Sequence, residues 1–83
     1  MIAHHKSAYE AVTSVIQELH LERGDPLPLV SPDSPLSSFQ LESLDIASLV
    51  VRLEESLGTD PFASGRITVF PRTVAELVKL YEG

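Results

Sequence analysis

The chain contains no cysteine, so disulfides, thiolate zinc sites and a thiol nucleophile are excluded. Long apolar runs are missing too. None is longer than Leu49-Val50-Val51, far short of a membrane span or a signal-peptide core. A soluble, cytoplasmic protein is therefore expected. Basic residues are scarce: 6 Lys and Arg stand against 12 Asp and Glu, a net charge of −6. Such a chain repels phosphate backbones, which argues against nucleic acid as a partner. A basic protein surface is its natural complement, although a charge of this size also serves simply to keep a small domain in solution. No G-x-S-x-G elbow is present, and the histidines lie only in the tail and the first predicted helix, so a serine nucleophile would lack a base. His4 and His5 are adjacent, do not face each other on a helix and have no third ligand nearby, so no metal site is expected.

What is present suffices for one small domain over 1–83. A chain of 83 residues buries only about 60% of its unfolded surface, yet 43% hydrophobic residues make it too apolar to be disordered. Residues 1–6 lack periodicity and read as a frayed tail. Ser7-Ala8-Tyr9-Glu10 is a capping box that opens a first helix. Ala8, Val12, Val15, Ile16 and Leu19 then share one face, His20 and Arg23 sit at the C-terminal end where positive charge is favourable, and Gly24 ends the run.

Gly24 to Glu42 holds Pro26, Pro28, Pro32 and Pro35, which forbid a regular helix over most of its length. So long a connection in a compact domain is expected to be functional or pinned down. Leu27, Leu29, Val30, Leu36, Phe39 and Leu41 are available to pack inward. The next helix runs from Ser43, a preferred cap, to Gly58, with Asp45 placing negative charge in its first turn. Asp60-Pro61 can start a short third helix that Gly65 closes. Ile67 to Phe70 alternates weakly but has no second strand to pair with. Thr73-Val74-Ala75-Glu76 is another capping box, and Val74, Leu77, Val78 and Tyr81 form the stripe of a last helix. The fold class is therefore all-α: a small four-helix bundle of three main helices, a short third one and a long first loop.

On the wheel of the second helix, Ile46, Leu49, Val50, Leu53 and Leu57 form a core stripe. Asp45, Ser48, Arg52 and Glu55 form a solvated one. Between them run Ser43, Ala47, Val51 and Glu54, a hydroxyl above small apolar residues with carboxylates around them. That is either a partner-docking surface or the boundary of an ordinary amphipathic helix. Ser43 is either a plain cap or a site of phosphorylation or phosphodiester attachment, since a helix N-terminus favours an anion.

These residues resemble the attachment region of acyl carrier and peptidyl carrier proteins. That family has a leucine-rich approach, then Gly, an apolar residue, Asp, Ser and Leu, and a helix ending in Leu-Glu-Glu, two residues and Gly. Phe39-Gln40-Leu41-Glu42-Ser43-Leu44-Asp45 fills the first part and Leu53-Glu54-Glu55-Ser56-Leu57-Gly58 the second. The helix order agrees over essentially the whole chain. Two residues depart from the pattern: Gln40 stands at the family's Gly and Glu42 at its Asp.

The resemblance implies that Ser43 carries 4′-phosphopantetheine, installed from coenzyme A by a separate phosphopantetheinyl transferase. The protein would be a non-catalytic, monomeric carrier of acyl or aminoacyl groups. A loading enzyme and downstream synthase, condensing or transferase enzymes would dock on Glu42, Leu44, Asp45, Ala47, Val51, Glu54 and Glu55. Ser48, Arg52 and Asp60-Pro61-Phe62 favour polyketide or nonribosomal-peptide biosynthesis. A primary fatty-acid carrier and an unmodified, carrier-like scaffold are the alternatives.

Overall fold

The computed structural model describes residues 7–63, 65, 67 and 69–82. The tail with His4 and His5 lies outside the described residues, as does Thr68 within the weakly alternating stretch before Phe70. The fold is the expected all-α small bundle, with helices α1 (Ala8–Arg23), α2 (Ser43–Leu57) and α3 (Val74–Glu82) and no strand among the described residues.

Local chemistry fixes the helix ends. At α1 the Ser7 hydroxyl accepts from the Glu10 amide at 3.1 Å, and Glu10 Oε1 accepts from the Ser7 amide at 3.1 Å, both halves of the capping box. At its other end Gly24 adopts a left-handed φ of 78°, its N–H donates to the Leu21 carbonyl at 3.0 Å, and the Asp25 N–H donates to the His20 carbonyl at 2.9 Å. That pair of bonds satisfies two of the carbonyls that a helix end leaves open. Gly58, with φ of 75°, ends α2 in the same left-handed conformation.

α1 is the central element. It packs on both α2 and α3, which hardly touch each other. Its buried residues Ala8, Ala11, Val12, Val15, Ile16 and Leu19 meet Leu49 and Leu53 of α2 and Val74, Leu77, Val78 and Tyr81 of α3. Burying one such large side chain stabilises the fold by about 1.5–3 kcal/mol. His20 stands in the last turn of α1, as read from the sequence, but its side chain is buried against the core. It is 6% exposed, its Nδ1 donates to the Ile16 carbonyl at 2.9 Å, and its ring meets Phe39 edge-on at 6.2 Å.

The long connection is ordered, as its prolines suggest, but only part of it packs inward. Leu36 and Phe39 are buried in a 3-10 turn (Leu36–Phe39), and Val30 and Leu41 are half-buried. Leu27 and Leu29, expected inward, are 60% and 97% exposed. In an irregular extended run alternate side chains point to opposite sides, so Pro28 and Val30 turn in while their neighbours turn out. The connection is fastened at three places. The Tyr9 hydroxyl donates to the Val30 carbonyl at 2.9 Å. The Val74 and Ala75 amides donate to the Ser34 and Pro32 carbonyls at 3.0 and 2.9 Å, and the Leu36 amide donates to the Arg72 carbonyl at 2.8 Å. The loop thus supplies acceptors for first-turn amides of α3 that have no intrahelical partner.

The capping box of α3 is only half formed. Thr73 Oγ1 accepts from the Glu76 amide at 3.2 Å, but Glu76 Oε1 reaches past Thr73 to the Arg72 amide at 2.8 Å. The expected short third helix does not form: 61–63 make only turns, with Asp60 Oδ1 accepting from the Phe62 amide at 2.9 Å, so the bundle has three α-helices among the described residues rather than four. There the Phe62 ring stacks on Phe70 at 5.5 Å and meets the edge of Tyr81 at 6.2 Å.

Tyr81 is 7% exposed and its hydroxyl is buried without a hydrogen-bond partner. Burial pushes the phenol up to about 12, with the charges of Asp60 and Glu54 adding to the effect. The unfolded value is about 10. The neutral phenol's contribution to stability is therefore complete below about pH 10 and lost as pH climbs toward about 12. Tyr81→Phe is expected to flatten that alkaline loss and to raise stability at neutral pH by about 1 kcal/mol, because it removes an unsatisfied buried polar group. Urea unfolding followed across this pH range measures both effects.

Candidate functional site on helix α2

The start of α2 differs by one residue from the expected arrangement. Glu42, in an extended conformation (φ −89°, ψ 173°), occupies the cap position, and Ser43 is the first helical residue. Asp45 Oδ2 reaches back to accept from the Glu42 amide at 3.1 Å. The spacing could have revealed this, because Glu42 and Asp45 stand three apart, as capping partners do, whereas Ser43 as cap would put Ile46 in the reciprocal position. The shift releases the Ser43 hydroxyl from capping. Ser43 is exposed, and no hydrogen bond joins its side chain to any described residue. It lies beside first-turn amides that lack intrahelical acceptors and at the positive end of the helix dipole.

A connected face descends from Ser43. Glu42, Leu44, Ala47, Val51, Glu54 and Glu55 are all exposed, Leu44 by 83% and Val51 by 52%. Asp45 is the exception among the proposed docking residues. Its side chain is 20% exposed and turns toward the end of α1, where Arg23 Nη1 donates to Asp45 Oδ2 at 3.0 Å. The Glu42 amide, followed by the Arg23 guanidinium, holds the Asp45 carboxyl below its ordinary value despite the opposing effect of desolvation.

Arg52 and Ser48 likewise do not belong to a solvated stripe. Arg52 forms a two-pronged bond to Glu22, with Nη1 and Nη2 each 2.8 Å from a carboxylate oxygen, and Nη1 also reaches Glu18 at 3.2 Å. Ser48 is half-buried. This side of α2 faces α1, whose Glu18 and Glu22 present carboxylates one helical turn apart. The lone arginine on α2 opposite such an acidic pair was the available signal in the sequence.

Gln40 marks the turn that leads into the site. Its φ of 55° and ψ of 41° are left-handed, and it is the one non-glycine residue with positive φ among the described residues. The position where the carrier pattern has Gly therefore requires a conformation that favours glycine. Its carbonyl accepts from Arg23 Nη1 at 3.2 Å.

An open, mainly apolar groove of about 460 Å³ runs between the 3-10 turn, the start of α2 and the approach to α3. Leu36, Leu41, Ile46, Phe70 and Pro71 line it, and Leu41 and Ile46 flank Ser43 in the chain. Among the described residues no group of three or more His, Cys, Asp or Glu side chains could hold a metal ion, and no helix is long and apolar enough to cross a membrane. No family model matches the chain, and no curated protein or solved structure matches it either.

Replacing Gln40 by glycine is expected to relieve a left-handed strain of about 1–2 kcal/mol, partly offset by the greater freedom glycine gives the unfolded chain. A net gain of about 0.5–1 kcal/mol, read as a rise of about 2–8 °C in thermal midpoint, is predicted for Gln40→Gly. Gln40→Val should lower the midpoint instead, because a β-branched side chain tolerates this conformation least.

Proposed function

We propose that the chain is a carrier protein, with Ser43 as the acceptor of a 4′-phosphopantetheine arm from coenzyme A. The observation that carries this reading is an exposed, unbonded hydroxyl on the first residue of α2, heading an exposed apolar face rimmed by carboxylates. The residues present fit such a group. A phosphodiester on Ser43 Oγ would lie at a helix N-terminus, where open amides and the dipole favour negative charge. When bound, the arm supplies a terminal thiol that holds acyl or aminoacyl groups as thioesters, which the cysteine-free chain cannot do itself.

In the transfer, Ser43 Oγ forms a bond to the phosphorus that bears the pantetheine, and that phosphorus loses its bond to the bridging oxygen. Adenosine bisphosphate leaves, and the hydroxyl proton passes to a base on the transferase. The chain's own part is to present the hydroxyl and to be recognised. Leu44, Ala47 and Val51 offer apolar contact to the transferase, the loading enzyme and downstream synthase or condensing enzymes, and Glu42, Glu54 and Glu55 orient basic groups on them. Asp45 acts indirectly, by setting the helix start. The groove beside Leu41 and Ile46 has the chemistry to take an apolar cargo.

Polyketide or nonribosomal-peptide machinery is the favoured setting, because Ser48 stands where fatty-acid carriers often have an acid. Arg52 carries no weight in that choice, since its charge is committed to Glu22.

Incubation with coenzyme A and a promiscuous phosphopantetheinyl transferase is expected to raise the intact mass by one arm, and Ser43→Ala to abolish the increase. A mass rise that survives in Ser43→Ala defeats the assignment. No rise, with partners still captured through α2, makes the chain an unmodified adaptor. Val51→Glu should leave the thermal midpoint nearly unchanged, because the side chain is 52% exposed, yet lower kcat/KM for modification about tenfold.

A further inference from the structure

We infer that Arg23 is a positioning residue for Ser43, fastening both sides of the serine turn to the end of α1; this rests on the carrier reading above. Arg23 is the last residue of α1, yet its guanidinium bonds on either side of Ser43 in the chain. Nη1 donates to the Gln40 carbonyl at 3.2 Å before the serine and to Asp45 Oδ2 at 3.0 Å after it. The other edge of the guanidinium is held by Asp25, whose Oδ2 lies 3.0 Å from Nε and 2.8 Å from Nη2. Asp25 stands there because the left-handed Gly24 turns the chain back beside the helix it has just ended.

Two features make this more than a surface ion pair. Asp45 Oδ2 is also the atom that accepts from the Glu42 amide, so the group defining where α2 begins is itself anchored to α1. Gln40 holds a left-handed conformation that a side chain disfavours, and Arg23 bonds its carbonyl in that conformation. A planar, forked donor suits three acceptors at fixed angles, and a lysine does not reproduce it. Without Arg23 the turn and the helix start would each lose their tie to α1, and the hydroxyl would sample more orientations. Phosphoryl transfer depends strongly on alignment, so the loss should appear in turnover rather than in docking.

Arg52 provides the control. It joins α2 to α1 through Glu22 and Glu18, remote in sequence from the serine turn, with no bond to Gln40, Glu42 or Asp45. Arg23→Gln, Arg23→Lys and Arg52→Gln would be compared by amide hydrogen exchange and by kcat and KM for modification. Arg23→Gln is expected to speed exchange of the Glu42 amide about three- to fivefold, the factor that one partly exposed ion pair supplies. It should also lower kcat severalfold with KM nearly unchanged, and Arg23→Lys should recover only part of either effect. Arg52→Gln should lower the thermal midpoint while leaving Glu42 exchange and kcat at wild-type values. Equal effects of Arg23→Gln and Arg52→Gln would reduce Arg23 to a general stabiliser and overturn the inference, as would faster exchange with unchanged kcat. If the wild-type chain accepts no arm at all, the carrier reading fails. The exchange comparison then decides alone whether Arg23 holds the turn. Should Arg23→Gln not fold, Asp45→Asn, which weakens the same anchor from the other side, takes its place in both measurements.

Discussion

The burial of one helix face organises the molecule. Ala11, Val12, Val15, Ile16 and Leu19 of α1 are almost wholly withdrawn from solvent, and the other two helices pack on α1 rather than on each other. In so small a domain the hydrophobic term barely exceeds the conformational entropy of ordering the chain. α2 and α3 therefore have no stable mutual arrangement except through α1. The proline-rich connection follows from the same constraint. It must cross from the end of α1 to the start of α2, and it does so by placing Leu36 and Phe39 in the core and its carbonyls on the open amides of α3. Prolines reduce the entropy that such a crossing costs.

Apolar packing alone does not fix rotation and register between helices, because Leu and Val surfaces tolerate sliding. Directional bonds restrict those motions. Arg52 on Glu22 and Glu18 sets the rotation of α2 against the middle of α1, and Arg23 sets the position of its first turn. Each pair is partly exposed and contributes at most about 1 kcal/mol. Their importance lies in geometry: they select one of several packings of similar hydrophobic energy.

How much of this the sequence displayed depends on how local the deciding physics is. Helix ends were legible at Ser7 with Glu10, at Gly24 and at Gly58, because a cap is settled within a few residues. The core stripes of α1 and α3 were legible for the same reason, whereas in α2 only Leu49 and Leu53 are buried and Ile46, Val50 and Leu57, read into the same stripe, are half-buried. The exposed set Ser43, Ala47, Val51 and Glu54 also followed from angular position alone. What escaped was decided by neighbours distant in the chain. Leu27 and Leu29 turn outward according to the phase of an extended segment. Glu76 bypasses Thr73 for the Arg72 amide. Asp45 and Arg52 read as solvated only until α1 is placed beside them. The cap at Glu42 is an intermediate case, since carboxylates at both ends of its capping spacing outweigh the general preference for serine.

That placement of α1 changes what the net charge of −6 means. Taken from composition, the acids surround the molecule evenly. In the fold, Glu18, Glu22, Asp25 and Asp45 are bound to two arginines and contribute little field beyond the seam between α1 and α2. Glu54 and Glu55 have no described cation within pairing distance and stay exposed with Glu42 around Leu44, Ala47 and Val51. Three carboxylates thus stay exposed together on the outer face of α2, beside the hydroxyl of Ser43. Exposed charges act over roughly 10 Å at moderate salt, so on the carrier reading proposed above these three carboxylates would draw a basic partner toward this face before any apolar contact is made. The inner side of α2 is charge-balanced against α1 while Glu42, Glu54 and Glu55 stay bare on its outer side, so the helix is as one-sided in charge as in its apolar stripe.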